Sequence, residues 1–130
     1  MISRSDRPAG VAEFRTLREI TGLGAFSEEA SAIALANTLH AVWLRDETGQ
    51  LVAMGRLTGD GGCFAQITDV AVHPDRQRQG LGGEVMEGLM SWAETNLPEG
   101  CYLSLIADPG AEHLYRGFGF AERFGMARSV

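Results

Sequence analysis

Asp69-Val70-Ala71-Val72-His73-Pro74-Asp75-Arg76-Gln77-Arg78-Gln79-Gly80-Leu81-Gly82-Gly83 passes from an apolar, strand-like run through a turn into a helix. After Pro74 the apolar period changes: Leu81, Val85, Leu89, Trp92 and Ala93 form a helical stripe from about Gly80 to Leu97, ended by Pro98 and Gly100. The next run, Tyr102 to Ala107, is almost continuously apolar and suits a strand buried on both faces. A helix linking two strands makes them parallel neighbours through a right-handed crossover. The centre of the chain therefore reads as strand, helix, strand.

Upstream, Val11, Phe14, Leu17 and Ile20 recur about every third position, which marks one face of a helix between Pro8 and Ile20. Ser27 followed by Glu28 and Glu29 has the form of a helix N-cap with acids in the first turn, and predicts a second helix to Asn37. His40 to Arg45 and Leu51 to Leu57, joined by D-E-T-G-Q, and then Cys63 to Val72 after G-D-G-G, predict an antiparallel meander. Downstream, Asp108-Pro109-Gly110 breaks the chain, Ala111 to Arg116 predicts a short helix, and a last strand is expected after Gly119. The sum is one α/β domain over 1–130: a mixed sheet with an antiparallel N-terminal meander, a central parallel strand-helix-strand unit, and a short C-terminal helix and strand.

Size and charge narrow the function classes. A chain of 130 residues can bury one continuous core. With 45% hydrophobic and 22% charged residues it is neither a disordered nor a membrane-spanning composition. The formal net charge of −6 argues against a general nucleic-acid surface, since such surfaces cluster Lys and Arg. Met1 to Gly10 lacks the apolar stretch of a secretory signal, and Cys63 and Cys101 read as two ordinary thiols, so a cytoplasmic location is expected. No His, Cys, Asp or Glu cluster has ligand spacing, and no metal is expected.

The glycine-rich turn is where chemistry concentrates. At a helix N-terminus several N–H groups lack helical partners and the helix dipole favours negative charge, so a phosphate can sit there. Gly80, Gly82 and Gly83 leave room for a pyrophosphate to approach the backbone, and Arg76 and Arg78 add positive charge to an acidic chain; the same glycines could simply permit a tight turn. No Lys-Ser or Lys-Thr pair follows them, which removes a P-loop, and Val85 stands where a dinucleotide fingerprint needs its third glycine. A nucleotide-binding oxidoreductase fragment is accordingly disfavoured.

Gln77, Gly80 and Gly82, in Q-R-Q-G-L-G after D-V-A-V-H-P, resemble the acetyl-CoA motif [QR]-x-x-G-x-[GA] of the GNAT superfamily of N-acetyltransferases. Leu114-Tyr115-Arg116-Gly117-Phe118-Gly119-Phe120 resembles that family's second signature, [LF]-Y-x-x-x-G-F, at the expected distance. The resemblance implies a GNAT-like fold over about nine-tenths of the chain. It implies acetyl-CoA as co-substrate, held by the backbone of Val70, Ala71 and Val72 along the pantetheine and by Gln77, Arg78, Gln79, Gly80, Leu81, Gly82 and Gly83 around the pyrophosphate. It also implies a small-molecule primary amine as the acceptor, attacking directly, and a homodimer as a common assembly. A non-catalytic acyl-CoA-binding regulatory module is the alternative.

Tyr115 suits proton donation to the departing thiolate, because a phenol near pKa 10 is a weaker acid than a thiol near 8.5. It can equally be one more aromatic on a buried helix face. Asp69 is the leading candidate for a general base, against a structural role pairing an arginine. Alternation places Asp69 on the face of Ile67 and Ala71. His73, His40 and His113 have weaker claims. Arg56 reads as a surface or salt-bridging residue, with contact to an acidic substrate group as the other option.

Overall fold

The computed structural model describes residues 1–130. Its elements in chain order are β1 (Ser3–Ser5), α1 (Val11–Ile20), α2 (Glu28–Ala36), β2 (His40–Arg45), β3 (Leu51–Gly59), β4 (Phe64–Val72), a 3-10 turn (Pro74–Arg76), α3 (Leu81–Asn96), β5 (Tyr102–Ser104) and α4 (Glu112–Arg116). The five strands form one sheet in the order β1-β2-β3-β4-β5. β1 to β4 pair antiparallel and β5 joins β4 in parallel, as the α3 crossover requires.

Local chemistry sets these boundaries. Ser27 caps α2 by accepting the N–H of Ala30 at 3.1 Å, as its position ahead of two glutamates suggested. Glu13 folds back from the first turn of α1 to accept the N–H of Gly10 at 2.8 Å. The β3–β4 turn closes on Asp60, whose carboxylate accepts the N–H groups of Gly62, Cys63 and Phe64 at 2.8, 2.9 and 3.1 Å.

The sheet is covered on both faces. α3 packs Leu81, Val85, Met86, Leu89 and Ala93 against Val42, Leu44, Val52, Leu57 and Ile67. α1 packs Phe14 and Leu17 against Trp43, Leu51, Met54 and Ala71 on the other side. Each fully buried Leu, Met or Phe in these layers contributes roughly 1.5–3 kcal/mol of transfer free energy. Gly55 in β3 marks the tightest approach of α3, since a Cβ there would lie 2.4 Å from Val85 Cγ1.

Three features depart from expectation. β1 forms from Ser3, Arg4 and Ser5, which carry no apolar alternation and pair with Arg45, Leu44 and Trp43. β5 is only three residues long and half exposed, not buried on both faces: pairing with β4 ends at Gln66↔Ser104, and Tyr102 and Ile106 are 51% and 67% exposed. The strand expected after Gly119 does not form; residues 121–130 are exposed and irregular, with Phe124 93% exposed. Both outcomes have one cause. The pairing of β4 with β5 stops at Gln66↔Ser104, ahead of the β4 bulge, and β5 has no further strand on its outer edge, so neither Leu105–Ala107 nor the C-terminal segment belongs to a ladder.

Candidate active site

The bulge is the first component. Met54 pairs with Ala71 and Arg56 with Thr68, so Asp69 and Val70 together face the single residue Gly55. Asp69 takes φ 58, a left-handed conformation uncommon for a residue with a Cβ. One extra residue reverses the alternation beyond it. Ile67 consequently lies in the α3 layer and Ala71 in the α1 layer, and the expectation of a common face for Ile67, Asp69 and Ala71 is corrected.

Because β4 and β5 separate after Gln66 and Ser104, the β5-facing edge of β4 from Ile67 to Val72 has no strand beside it. Val70 is half-buried toward α3, Ala71 is buried against α1, and the Val72 carbonyl accepts from Gln77 Nε2 at 3.3 Å. Gln77 thus ties the turn back to the strand it leaves.

The turn itself is built around unpaired donors. None of the seven main-chain N–H groups from Gln77 to Gly83 donates to a protein acceptor; the ladder begins with Glu84 N–H to the Gly80 carbonyl at 3.1 Å. Arg78 and the N-cap Gly80 have φ 65 and 78, which turns successive amides outward. A Cβ at Gly80 or Gly83 would meet nothing within 4 Å. Arg78, Gln79 and Gly80 are exposed, Gly82 and Gly83 half-buried, and Leu81 anchors the turn in the core. Donors pointing into open space at a helix start fit a pyrophosphate.

α4 closes the far side. A Cβ at Gly82 would sit 3.5 Å from Leu114 Cδ2, so the two motifs meet in space. Tyr115, beside Leu114, is half-buried and lines a cleft of about 890 Å³ with Leu103, Leu105, Phe118 and Phe120. Burial, reinforced by the Asp108 carboxylate, raises the Tyr115 phenol above its ordinary pKa.

The other candidates are placed as follows. The Asp69 side chain is 2% exposed and bonded to two guanidiniums, Arg56 Nε at 2.7 Å and Arg18 Nη1. Arg56 is neither on the surface nor open to a ligand; besides Asp69 it binds the Ala34 carbonyl and Thr38 Oγ1 at 3.1 and 2.8 Å. His73 caps the 3-10 turn, its Nδ1 accepting from Asp75 N–H at 3.1 Å. His40 stacks on Trp92 with ring centroids 4.8 Å apart, and burial followed by the neighbouring Arg4 lowers its pKa. His113 is exposed on α4. Arg18 is the functional-site residue the sequence pattern passed over. It lies four residues after Phe14 and so on the buried face of α1, a charge among apolar neighbours that signals a partner.

The acetyltransferase (GNAT) family model matches residues 12–120. The chain belongs to the GNAT family. A protein from meticillin-resistant Staphylococcus aureus, of unknown function and described as a probable acetyltransferase, superimposes with a TM-score of 0.93 at 34% identity, covering 100% of both chains. The Arabidopsis thaliana chloroplastic GCN5-related N-acetyltransferase 1 is 37% identical over 89 residues, 68% of this chain and 44% of that protein. The rice chloroplastic serotonin N-acetyltransferase 2 is 38% identical over 86 residues, 63% of this chain and 42% of that one. This chain therefore spans less than half of those two curated relatives. No helix in this GNAT chain is long and apolar enough to cross a membrane.

Proposed function

We propose that this GNAT chain is an N-acetyltransferase that passes acetyl from acetyl-CoA to a primary amine of a small molecule by direct attack. The observation that carries this is the run of seven unpaired N–H groups from Gln77 to Gly83 lying at the end of the strand that separates from β5. A thioester co-substrate supplies an activated acyl group and a thiolate leaving group. The amides from Arg78 to Gly83 would hold its pyrophosphate, and the free edge of Val70 to Val72 would align its arm.

Tyr115 would handle the leaving group. Its raised pKa keeps the hydroxyl protonated through neutral and mildly alkaline pH, so it can donate to a departing thiolate. Proton-transfer assistance of this type contributes on the order of 10²–10⁴ in rate. Tyr115→Phe should therefore cut turnover about 100-fold or more and leave acetyl-CoA affinity unchanged. An unchanged rate would remove Tyr115 from the chemistry.

The test of the whole proposal is acetyl-CoA-dependent thiol release by the full chain with serotonin, other arylalkylamines, polyamines, amino sugars and peptides, against an amine-free control. The rice relative makes serotonin the first acceptor to try. One observation favours a second interpretation, a non-catalytic acyl-CoA-binding regulatory module: no strand follows α4, so the wall of the cleft beyond Phe120 is the irregular, exposed segment 121–127 and not a ladder strand. Acetyl-CoA binding without turnover would favour that module.

A further inference from the structure

Asp69 joins its own strand to α1 and to β3 beside the site. It sits in the bulge of β4 at φ 58, with its carboxylate oxygens divided between two guanidiniums. Arg18 belongs to α1, and beyond Asp69 it donates from Nε to the Gly24 carbonyl at 2.7 Å and from Nη2 to the Leu23 carbonyl at 2.9 Å. The same guanidinium lies 4.5 Å over the Phe26 ring, which fixes the whole connection from α1 to α2. Arg56 belongs to β3, and it carries the linkage to the C-terminal end of α2 through Ala34 and Thr38.

These contacts leave Asp69 no free role as a proton acceptor. Taking a proton would discharge a carboxylate holding two guanidiniums whose side chains are 12% and 8% exposed, and would leave two buried cations without their counter-ion. The same contacts explain the strain. A left-handed aspartate persists only where its surroundings over-determine it, and here two buried ion pairs do so.

We propose that Asp69 is a positioning residue: its carboxylate latches the α1–α2 connection to the β4 bulge. One side chain then ties the strand edge proposed to align the thioester to the α1–α2 connection, so that the position of that connection depends on the bulge. This rests on the acetyl-transfer function proposed above for the chemistry it positions, but the latch itself is a property of the fold.

Asp69→Asn, Arg18→Gln and Arg18→Lys in the full chain test it by two readouts. By hydrogen exchange, Asp69→Asn and Arg18→Gln should each speed exchange at least tenfold both in residues 21–26 and in residues 69–72, with α3 as in wild type; acceleration confined to the segment that carries the substitution overturns the latch. This readout stands even if the wild type turns over no amine, an outcome that would defeat the proposed function alone. In thiol release with serotonin, Arg18→Gln should raise the amine KM at least tenfold with the acetyl-CoA KM unchanged, and Arg18→Lys should recover part of that loss. Asp69→Asn should lower kcat while the acidic limb of the pH profile stays where it is. Disappearance of that limb would make Asp69 the base and overturn the proposal. Should Asp69→Asn fail to fold, the two Arg18 variants decide through the exchange pattern and the KM split.

Discussion

Gly83 stands in the first turn of α3, where alanine would serve the helix better. A Cβ there meets nothing within 4 Å, so Gly83→Ala introduces no clash. Removing a glycine's backbone freedom at a compatible helical position stabilises by about 0.4–1 kcal/mol. The unliganded variant should therefore melt a few degrees higher than wild type. If the open space is where a pyrophosphate lies, the methyl group should weaken acetyl-CoA binding about tenfold, which is about 1.4 kcal/mol. Ligand stabilisation at 100 times the wild-type Kd is about 2.7 kcal/mol, and falls to about 1.4 kcal/mol when Kd rises tenfold. The order of stabilities should invert: the variant more stable alone by about 0.7 kcal/mol, and less stable than wild type by about 0.6 kcal/mol with acetyl-CoA present. Thermal unfolding with and without acetyl-CoA reads both numbers in one experiment. A variant stabilised equally in both conditions would mean that the glycine serves only the turn, and would refute the pyrophosphate assignment.

Gly55→Ala should destabilise by about 1–3 kcal/mol, because its Cβ would lie 2.4 Å from the buried Val85 Cγ1. Adding Val85→Ala should then cost less than the sum of the two single changes in urea denaturation; strict additivity would show that this contact is not the cause. Glu13→Gln should cost about 1–3 kcal/mol at neutral pH by leaving the nearly buried Arg45 without its bidentate partner, at 2.8 Å to each oxygen. The hydrogen bond to Arg45 lowers the Glu13 pKa against the opposing effect of burial, so its stabilisation is present above the unfolded pKa of about 4.3 and is lost as pH falls through the folded value. The urea midpoints of wild type and Glu13→Gln should draw progressively together as pH falls below about 4.3 and stay separate above it. For Tyr115, any alkaline loss of turnover that disappears in Tyr115→Phe should have its midpoint above about pH 10, since burial raises the phenol; a midpoint near 8 in the wild type would belong to another group.

What the sequence makes legible follows periodicity. α1, α2 and α3 announce themselves through apolar spacing and the Ser27 cap, and β2 to β4 through runs bounded by glycine turns. The turn ahead of α3 is legible because Gly80, Gly82 and Gly83 mark a strand-to-helix junction where the apolar period changes. β1 is illegible because its three residues bring no apolar pattern and are held by the partner strand. Tyr102 to Ala107 misleads because an apolar run reports hydrophobicity and not whether a second layer exists to cover it. The bulge hides for a different reason: D-V-A-V alternates as an ordinary strand does, and the slip is set by what β3 and the two arginines demand of Asp69. Arg18 shows that the missing clue was present as a charge on the wrong side of a helix.

The reversal of faces within β4 makes residue count itself a constraint. Before Asp69 the odd-numbered residues Ala65 and Ile67 face the α3 layer, and after it the even-numbered Val70 and Val72 do while Ala71 faces α1, so a deletion anywhere from Thr68 to Val70 would hand Ala71 and Val72 to the opposite helices. Substitutions in this stretch can be judged one at a time by size and charge. Length changes cannot, because they re-address every residue up to the glycine turn. Lineages of this fold should therefore gain and lose residues in their turns while holding this strand's length fixed.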